Sequence, residues 1–167
     1  MTTDEKRAAF DALPSPEKKR QLEMKIFKGF AGAAGLGVDP GSEKNEEPPL
    51  PDMNCTVQGA PRFYELGEIT DQELARNLSR SGSATTGGFF EEEGPLFRML
   101  NKKATSSYTT NGVPVELILH YDKQFPFLPV ERLTGSEAKI AAALIPNGPF
   151  AKIWIYDSWS NKVLWSS

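Results

Sequence analysis

Acidic side chains interrupt an otherwise apolar stretch of the sequence, PDMNCTVQGAPRFYELGEITD, which begins at Pro51. Glu65 and Glu68 lie among aromatic and aliphatic residues, where an ionised carboxylate is costly unless it is ion-paired, hydrogen-bonded or bound to a metal. Because side chains alternate along a strand, Glu65 and Glu68 are expected on opposite faces. The two glutamates are therefore predicted to have different roles.

The same stretch predicts a β-hairpin. Asp52 stands at the start of the first strand, a turn follows at 58–61, and the second strand covers 62–69. In an antiparallel hairpin, Asp52 lies across from the end of the second strand and so approaches Glu65. Two carboxylates from adjacent strands are the minimum oxygen-ligand site for a hard cation such as Mg²⁺. A second interpretation stays open, in which Asp52 caps a turn and Glu65 pairs with Arg62 or with a lysine on a helix.

Length and composition indicate one domain of ordinary globular type. The chain has 167 residues, which is enough for a single core and short for two. Its net charge of -3 provides no overall basic field for nucleic acid, so a basic patch would have to be local. The single cysteine, Cys55, excludes an internal disulfide and is expected to be buried in a strand. With a charged N-terminus and no long apolar run, we expect a cytoplasmic protein without a membrane partner.

The other elements are predicted from periodicity and from proline and glycine. A helix over 17–34 has apolar residues three or four apart, from Leu22 to Ala33, which would form its core face. The polar, proline-rich run 39–49 predicts a solvent loop between this helix and the hairpin. Further helices are predicted over 71–80, 95–105 and 136–144, strands over 113–121, 151–156 and 162–165, and a flexible loop over 81–88.

Basic residues concentrate in the predicted helix 95–105, which carries Arg98, Lys102 and Lys103. They are the best local basic cluster, and a solvated helix face is the alternative explanation. Since neighbouring residues on a helix point about 100° apart, at most one of Lys102 and Lys103 can enter a given site. His120 is the single histidine, and we interpret it as a packed or hydrogen-bonded residue rather than a catalyst, because the sequence has no second histidine to complete a zinc site.

The order of elements, an N-terminal helix followed by an acidic hairpin, more helices, a buried strand and a C-terminal hairpin, resembles the restriction-endonuclease-like, or PD-(D/E)XK, nuclease superfamily. The resemblance rests on Pro51-Asp52, Gly59 and Phe63-Tyr64-Glu65-Leu66-Gly67, and covers the chain from about Glu17 to the end. It implies an α/β (α+β) fold with a restriction-endonuclease-like core, a central mixed β-sheet flanked by helices. It implies a single domain 1–167, with a core at 17–167 and an N-terminal extension at 1–16.

In the family pattern, the aspartate and the following acidic residue bind one or two divalent metals, and these positions match Asp52 and Glu65. The resemblance implies Mg²⁺ or Mn²⁺ as the cofactor, with Glu23 in the first helix as a further ligand. The family's lysine, two residues after the second carboxylate, is Gly67 in this sequence. Some members recruit this lysine from a neighbouring helix, which makes Lys102 or Lys103 the candidates here.

These features of the sequence are compatible with three functions. The first is a metal-dependent nuclease that hydrolyses phosphodiester bonds in nucleic acid, with Asp52, Glu65 and Lys102 or Lys103 as catalytic residues. The second is a catalytically inactive protein of the same fold that acts as an accessory or protein-binding subunit, as a homodimer or with a partner protein. The third sets the resemblance aside and assigns partner binding to the Phe-, Pro- and Trp-rich C-terminal half, although Trp154 alternates with isoleucines as core residues do.

Overall fold

The computed structural model describes residues 2–69, 95–121 and 148–167. The predicted helices at 71–80 and 136–144 and the predicted loop at 81–88 lie outside these ranges. Within them no helix is both long and apolar enough to cross a membrane. The helices are α1 (Thr3–Asp11), α2 (Ser15–Ala33) and α3 (Pro95–Ala104), and the strands are β1 (Lys44–Asn45), β2 (Met53–Val57), β3 (Ala60–Glu68), β4 (Val115–Tyr121), β5 (Phe150–Asp157) and β6 (Lys162–Ser166).

The strands form one mixed six-stranded sheet in the order β1-β2-β3-β4-β5-β6. Strands β3, β4 and β5 are mutually parallel, while β1, β2 and β6 pair antiparallel with their neighbours at the two sides. Strand β4 lies inside this parallel part and is buried at all but one of its residues, as its apolar sequence predicts. The predicted mixed sheet flanked by helices is therefore confirmed, in a single domain.

The hairpin that carries the acidic residues turns at Gln58 and Gly59. Both residues have positive φ, 52° and 77°, the conformation that a tight two-residue hairpin turn requires. The Asp39 carboxylate accepts hydrogen bonds from the main-chain N–H groups of Gln58 at 3.1 Å and of Gly59 at 2.9 Å. The turn is thus two residues long, and Asp39, which lies outside the hairpin, stabilises it. In the resulting register Met53 lies opposite Tyr64.

Apolar residues cover both faces of the sheet. On one face α3 contributes Leu100 to a core with Leu117 and Ile155, and on the other face α2 contributes Phe27 and Phe30. The predicted alternation along β3 is confirmed: Phe63 packs in the α3 core, whereas Tyr64 and Leu66 pack in the α2 core. Helix α1 has no buried residue.

Two details of the sequence prediction are wrong. The run 39–49 is not only a loop, because Lys44–Asn45 pairs with β2 as an edge strand. Leu22 is not a core residue, because α2 buries Phe27, Phe30 and Ala31 and leaves Leu22 49% exposed. A helix with apolar residues on more than one stripe can present either stripe to a sheet, and the large aromatic side chains bury more area.

Two glycines of α2 predict opposite effects of the same substitution. A methyl group at Gly29 would overlap the hydroxyl of Tyr156, which donates a hydrogen bond to Asn161 at 2.7 Å. Gly32 has no atom within 4 Å of the position its Cβ would take. We expect Gly29→Ala to lower the free energy of unfolding by about 1–3 kcal/mol through overpacking. Gly32→Ala should raise it by about 0.5–1 kcal/mol through helix propensity. Urea denaturation measures both, and equal stabilisation by the two changes would contradict the close approach at Gly29.

Candidate functional site

The candidate site lies where β2 begins and β3 continues past it. Tyr64 is the last residue of β3 paired with β2, so the main chain of Leu66 has no strand partner on that side. Asp52 fills this place: its Oδ2 accepts a hydrogen bond from the Leu66 N–H at 2.9 Å, and its own N–H donates to Oε2 of Glu65 at 3.2 Å. The hairpin register therefore brings Asp52 and Glu65 together, one residue beyond the last pair.

Helix α3 adds a cation to this pair of carboxylates. The Lys103 ammonium lies 2.5 Å from Oε1 of Glu65, and the two side chains are only 18% and 10% exposed. Lys102 is exposed. Of the two candidate lysines, Lys103 is the one that contacts Glu65. We call Asp52, Glu65 and Lys103 the edge cluster.

Helix α3 packs closely against Gly67 of β3. A Cβ at Gly67 would lie 3.0 Å from a methyl carbon of Leu119 and 3.4 Å from Cγ of Met99, so a side chain there requires both neighbours to shift. Met99 and Lys103 are four residues apart on α3, and Glu65 and Gly67 are two apart on β3, so each pair shares a face. Met99 packs against Gly67, and Lys103, one helical turn after Met99, therefore lies next to Glu65.

Glu23 reaches the same region from α2, on the other face of the sheet. Lys19, one turn before it, lies 3.1 Å from Oε1 of Glu23 and 3.7 Å from Oδ1 of Asp52. The Nδ2 of Asn45 donates a 3.5 Å hydrogen bond to Glu23. Glu23 is therefore linked to Asp52 through the Lys19 ammonium. The i,i+4 spacing of Lys19 and Glu23 is readable from the sequence, but its link to Asp52 is not.

The charge of Asp52 helps to raise the pKa of both glutamates. Burial is the largest cause that raises the pKa of Glu65, followed by the negative charge of Asp52, and Lys103 opposes both. Burial likewise raises the pKa of Glu23, with Asp52 acting in the same direction and Lys19 against it. Three carboxylates thus share the charges of two ammonium groups. The site retains an excess of negative charge, which a cation would compensate.

A cavity of about 450 Å³ opens onto this cluster, between α2 and the ends of β3 and β4. Asp52, Lys103, Lys19 and Glu23 line it together with His120. Burial lowers the pKa of His120 to about 4, with Lys103 acting in the same direction and Asp52 opposing. The imidazole is therefore neutral at neutral pH. The place of His120 in this cavity is not predicted from the sequence, because it depends on α2, which is distant in the chain.

His120 predicts a loss of stability in mild acid. In the unfolded chain the imidazole is protonated below about pH 6.5, whereas in the folded protein it stays neutral until about pH 4, so the free energy of unfolding falls as pH falls between these values. The effect is at most about 3 kcal/mol, at about 1.4 kcal/mol per pH unit. We expect His120→Gln, measured by urea denaturation in EDTA, to remove this slope.

The difference between the wild type and His120→Gln gives the contribution of His120 to the pH dependence of stability. The raised pKa values of Glu23 and Glu65 act in the opposite direction, because the folded protein then binds protons more tightly than the unfolded chain, and both groups are present in the variant. Identical pH profiles for wild type and His120→Gln would show that His120 is not held neutral.

Asp52 and Glu65 are the carboxylates that could hold a divalent cation. Among the residues that the structure describes, no three His, Cys, Asp or Glu side chains form a metal-binding group. Mg²⁺ is commonly held by one or two carboxylates, with water and substrate phosphate as its other ligands, and here it would take the place of the present partners of Asp52 and Glu65. The buried hydroxyl of Tyr108 also lies close to Glu65.

Comparisons of the chain with protein-family models, with curated proteins and with solved structures give no match. Conclusions about function therefore rest on the geometry of the edge cluster and its cavity.

Proposed function

We propose that this protein is a metal-dependent nuclease with a restriction-endonuclease-like core, which hydrolyses phosphodiester bonds in nucleic acid. The observation that carries the proposal is the contact between Lys103 and Glu65, next to Asp52. It unites two carboxylates and a lysine at one sheet edge, although the sequence has Gly67 where the superfamily has its lysine. The close packing of α3 on Gly67 supports a lysine from this helix, since the helix that crowds Gly67 also carries Lys103.

Each residue of the edge cluster has a distinct role in this proposal. Asp52 and Glu65 would hold Mg²⁺ or Mn²⁺, and Glu23 would contribute from further away. When bound, the metal supplies Lewis-acid stabilisation of charge on the phosphate. Lys103 has three N–H donors, of which one is directed at Glu65, so the others are available to a water molecule or a phosphate oxygen. Its charge acts in a partly desolvated pocket, where such stabilisation is strongest.

Metal dependence is the direct test. The purified chain is incubated with labelled single- and double-stranded DNA and RNA in EDTA, in Mg²⁺ and in Mn²⁺. We expect cleavage of at least one of these forms with a divalent metal and none in EDTA. Calorimetry should show Mn²⁺ binding to the wild type and weaker binding to Asp52→Ala. If neither metal supports cleavage of any of these forms, the assignment as an enzyme is overturned.

The second candidate is an inactive protein of the same fold that serves as an accessory subunit. Its support is that the carboxylates already have ammonium partners and that no three-ligand group occurs in the described ranges. Metal binding separates the two candidates, because an accessory subunit has no need of it. An exposed aromatic patch of three tryptophans, the basis of the third candidate, does not form: Trp154 and Trp165 pack against the core and Trp159 alone of the three is highly exposed.

A further inference from the structure

We propose that the groove between α2 and the ends of β3 and β4, together with the β5–β6 turn, forms a binding track for single-stranded nucleic acid. The track leads from the edge cluster to Trp159, which serves as a stacking platform for a base. This inference rests on the proposed nuclease function and specifies its substrate as an unpaired strand.

The track is a continuous groove. The cavity of about 450 Å³ at the edge cluster adjoins a second cavity of about 590 Å³, and both are lined by Leu22, Ile26, Glu68 and His120. The second cavity continues along α2 to Trp159. A strand that lies in this groove therefore contacts the edge cluster at one end and the indole at the other.

Lysines mark the helix side of the groove. Lys18 lines the first cavity and Lys25 lines the second, seven residues apart on α2, so they lie on one face about 10 Å apart along the axis. Leu22 lies between them and is 49% exposed. The floor carries Glu68, which would repel a phosphate, beside the neutral His120. This distribution favours phosphates along the α2 wall and bases toward the floor.

Trp159 is suited to stacking because its side chain is exposed and its main chain is held by hydrogen bonds in the turn. It is 65% exposed, in the turn between β5 and β6. The Asp157 carboxylate accepts hydrogen bonds from the main-chain N–H of Trp159 at 2.9 Å and from the hydroxyl of Ser160. The hydroxyl of Ser158 donates to the carbonyl of Tyr121 at 2.8 Å. An indole on such a turn can receive a base at little cost in conformational entropy.

The chemistry of the groove selects an unpaired strand. Aromatic side chains stack on bases whose faces are free, and those of a duplex interior are already stacked. With a net charge of -3, the chain has no general attraction for a duplex, so the binding energy must come from local lysines and from stacking. The ligand is thus single-stranded DNA or RNA, bound largely without sequence preference.

The test measures binding apart from cleavage. Fluorescence anisotropy of a labelled oligothymidylate of about 20 nucleotides, several times the site size of one small binding groove, is followed in EDTA and again in Mg²⁺. We expect Trp159→Ala to weaken binding by roughly 5- to 100-fold and Trp159→Phe to retain most of the affinity. Lys25→Gln should weaken binding and reduce the slope of log affinity against log salt by about 0.7. Lys28→Gln is the control, because Lys28 lies on α2 one turn after Lys25 and lines neither of the two cavities of the track.

Three results would overturn the track: no binding of the oligothymidylate in either buffer, equal affinity for a blunt duplex of the same length, or unchanged affinity in Trp159→Ala. The two proposals fail separately. Binding that depends on Trp159 without any cleavage would support the track and contradict the nuclease proposal. Cleavage that is unaffected by Trp159→Ala would support the nuclease proposal and contradict the track.

Discussion

Replacement of Lys103 by methionine is expected to lower the rate of phosphodiester cleavage by about 10²–10³-fold, while Lys102→Met leaves it nearly unchanged. Lys103 is 18% exposed and contacts Glu65, so its charge acts where water is largely excluded. Lys102 is exposed, and solvent and salt screen its charge. Single-turnover rates at saturating metal measure the chemical step in both variants.

Stability must be followed in the same experiment, because Lys103→Met leaves the buried Glu65 without its cation. Lys103→Arg serves as a second variant that keeps the positive charge, and it should retain more activity than Lys103→Met at equal stability. Equal, small effects of Lys102→Met and Lys103→Met on a folded, active enzyme would exclude both lysines from the chemistry.

Glu65→Gln is expected to abolish cleavage, a loss of at least about 10³-fold, and to weaken Mn²⁺ binding measured by calorimetry. A neutral amide is a much poorer ligand for a hard cation than a carboxylate. The amide removes a buried charge, but its single oxygen accepts from only one of the two donors that Glu65 serves, the Asp52 N–H and the Lys103 ammonium. Urea denaturation therefore accompanies the activity measurement, and a loss of cleavage is counted only in a folded variant.

Glu68→Gln is the matched control on the same strand. Glu68 alternates to the other face of β3, is exposed, and lines the cavity without an ion pair among the described residues. Its substitution should leave Mn²⁺ affinity unchanged. If Glu68→Gln lowered the Mn²⁺ affinity as much as Glu65→Gln, the metal ligands would lie on the α2 face of the sheet instead.

The sequence by itself determined the elements and faces that prepare the site. Alternation along β3 put Glu65 and Glu68 on opposite faces, and the predicted hairpin brought Asp52 near Glu65. The predicted turn at 58–61 was too long, because Ala60 already pairs with Val57 and only Gln58 and Gly59 form the turn. The period of the helix implied that only one of Lys102 and Lys103 could enter. These are local properties, decided by contacts between residues close in sequence, and the structure agrees with them apart from the length of the turn.

Tertiary packing alone decided which helix faces met the sheet. The contact of Met99 with Gly67 sets the rotation of α3, and so selects Lys103 for a contact that spans 38 residues of sequence. The choice of aromatic stripe on α2 turned Leu22 outward and brought Lys19 to Asp52. Periodicity specifies the relative directions of side chains within one element, but which neighbour each face buries depends on the volumes that must fit between elements distant in sequence.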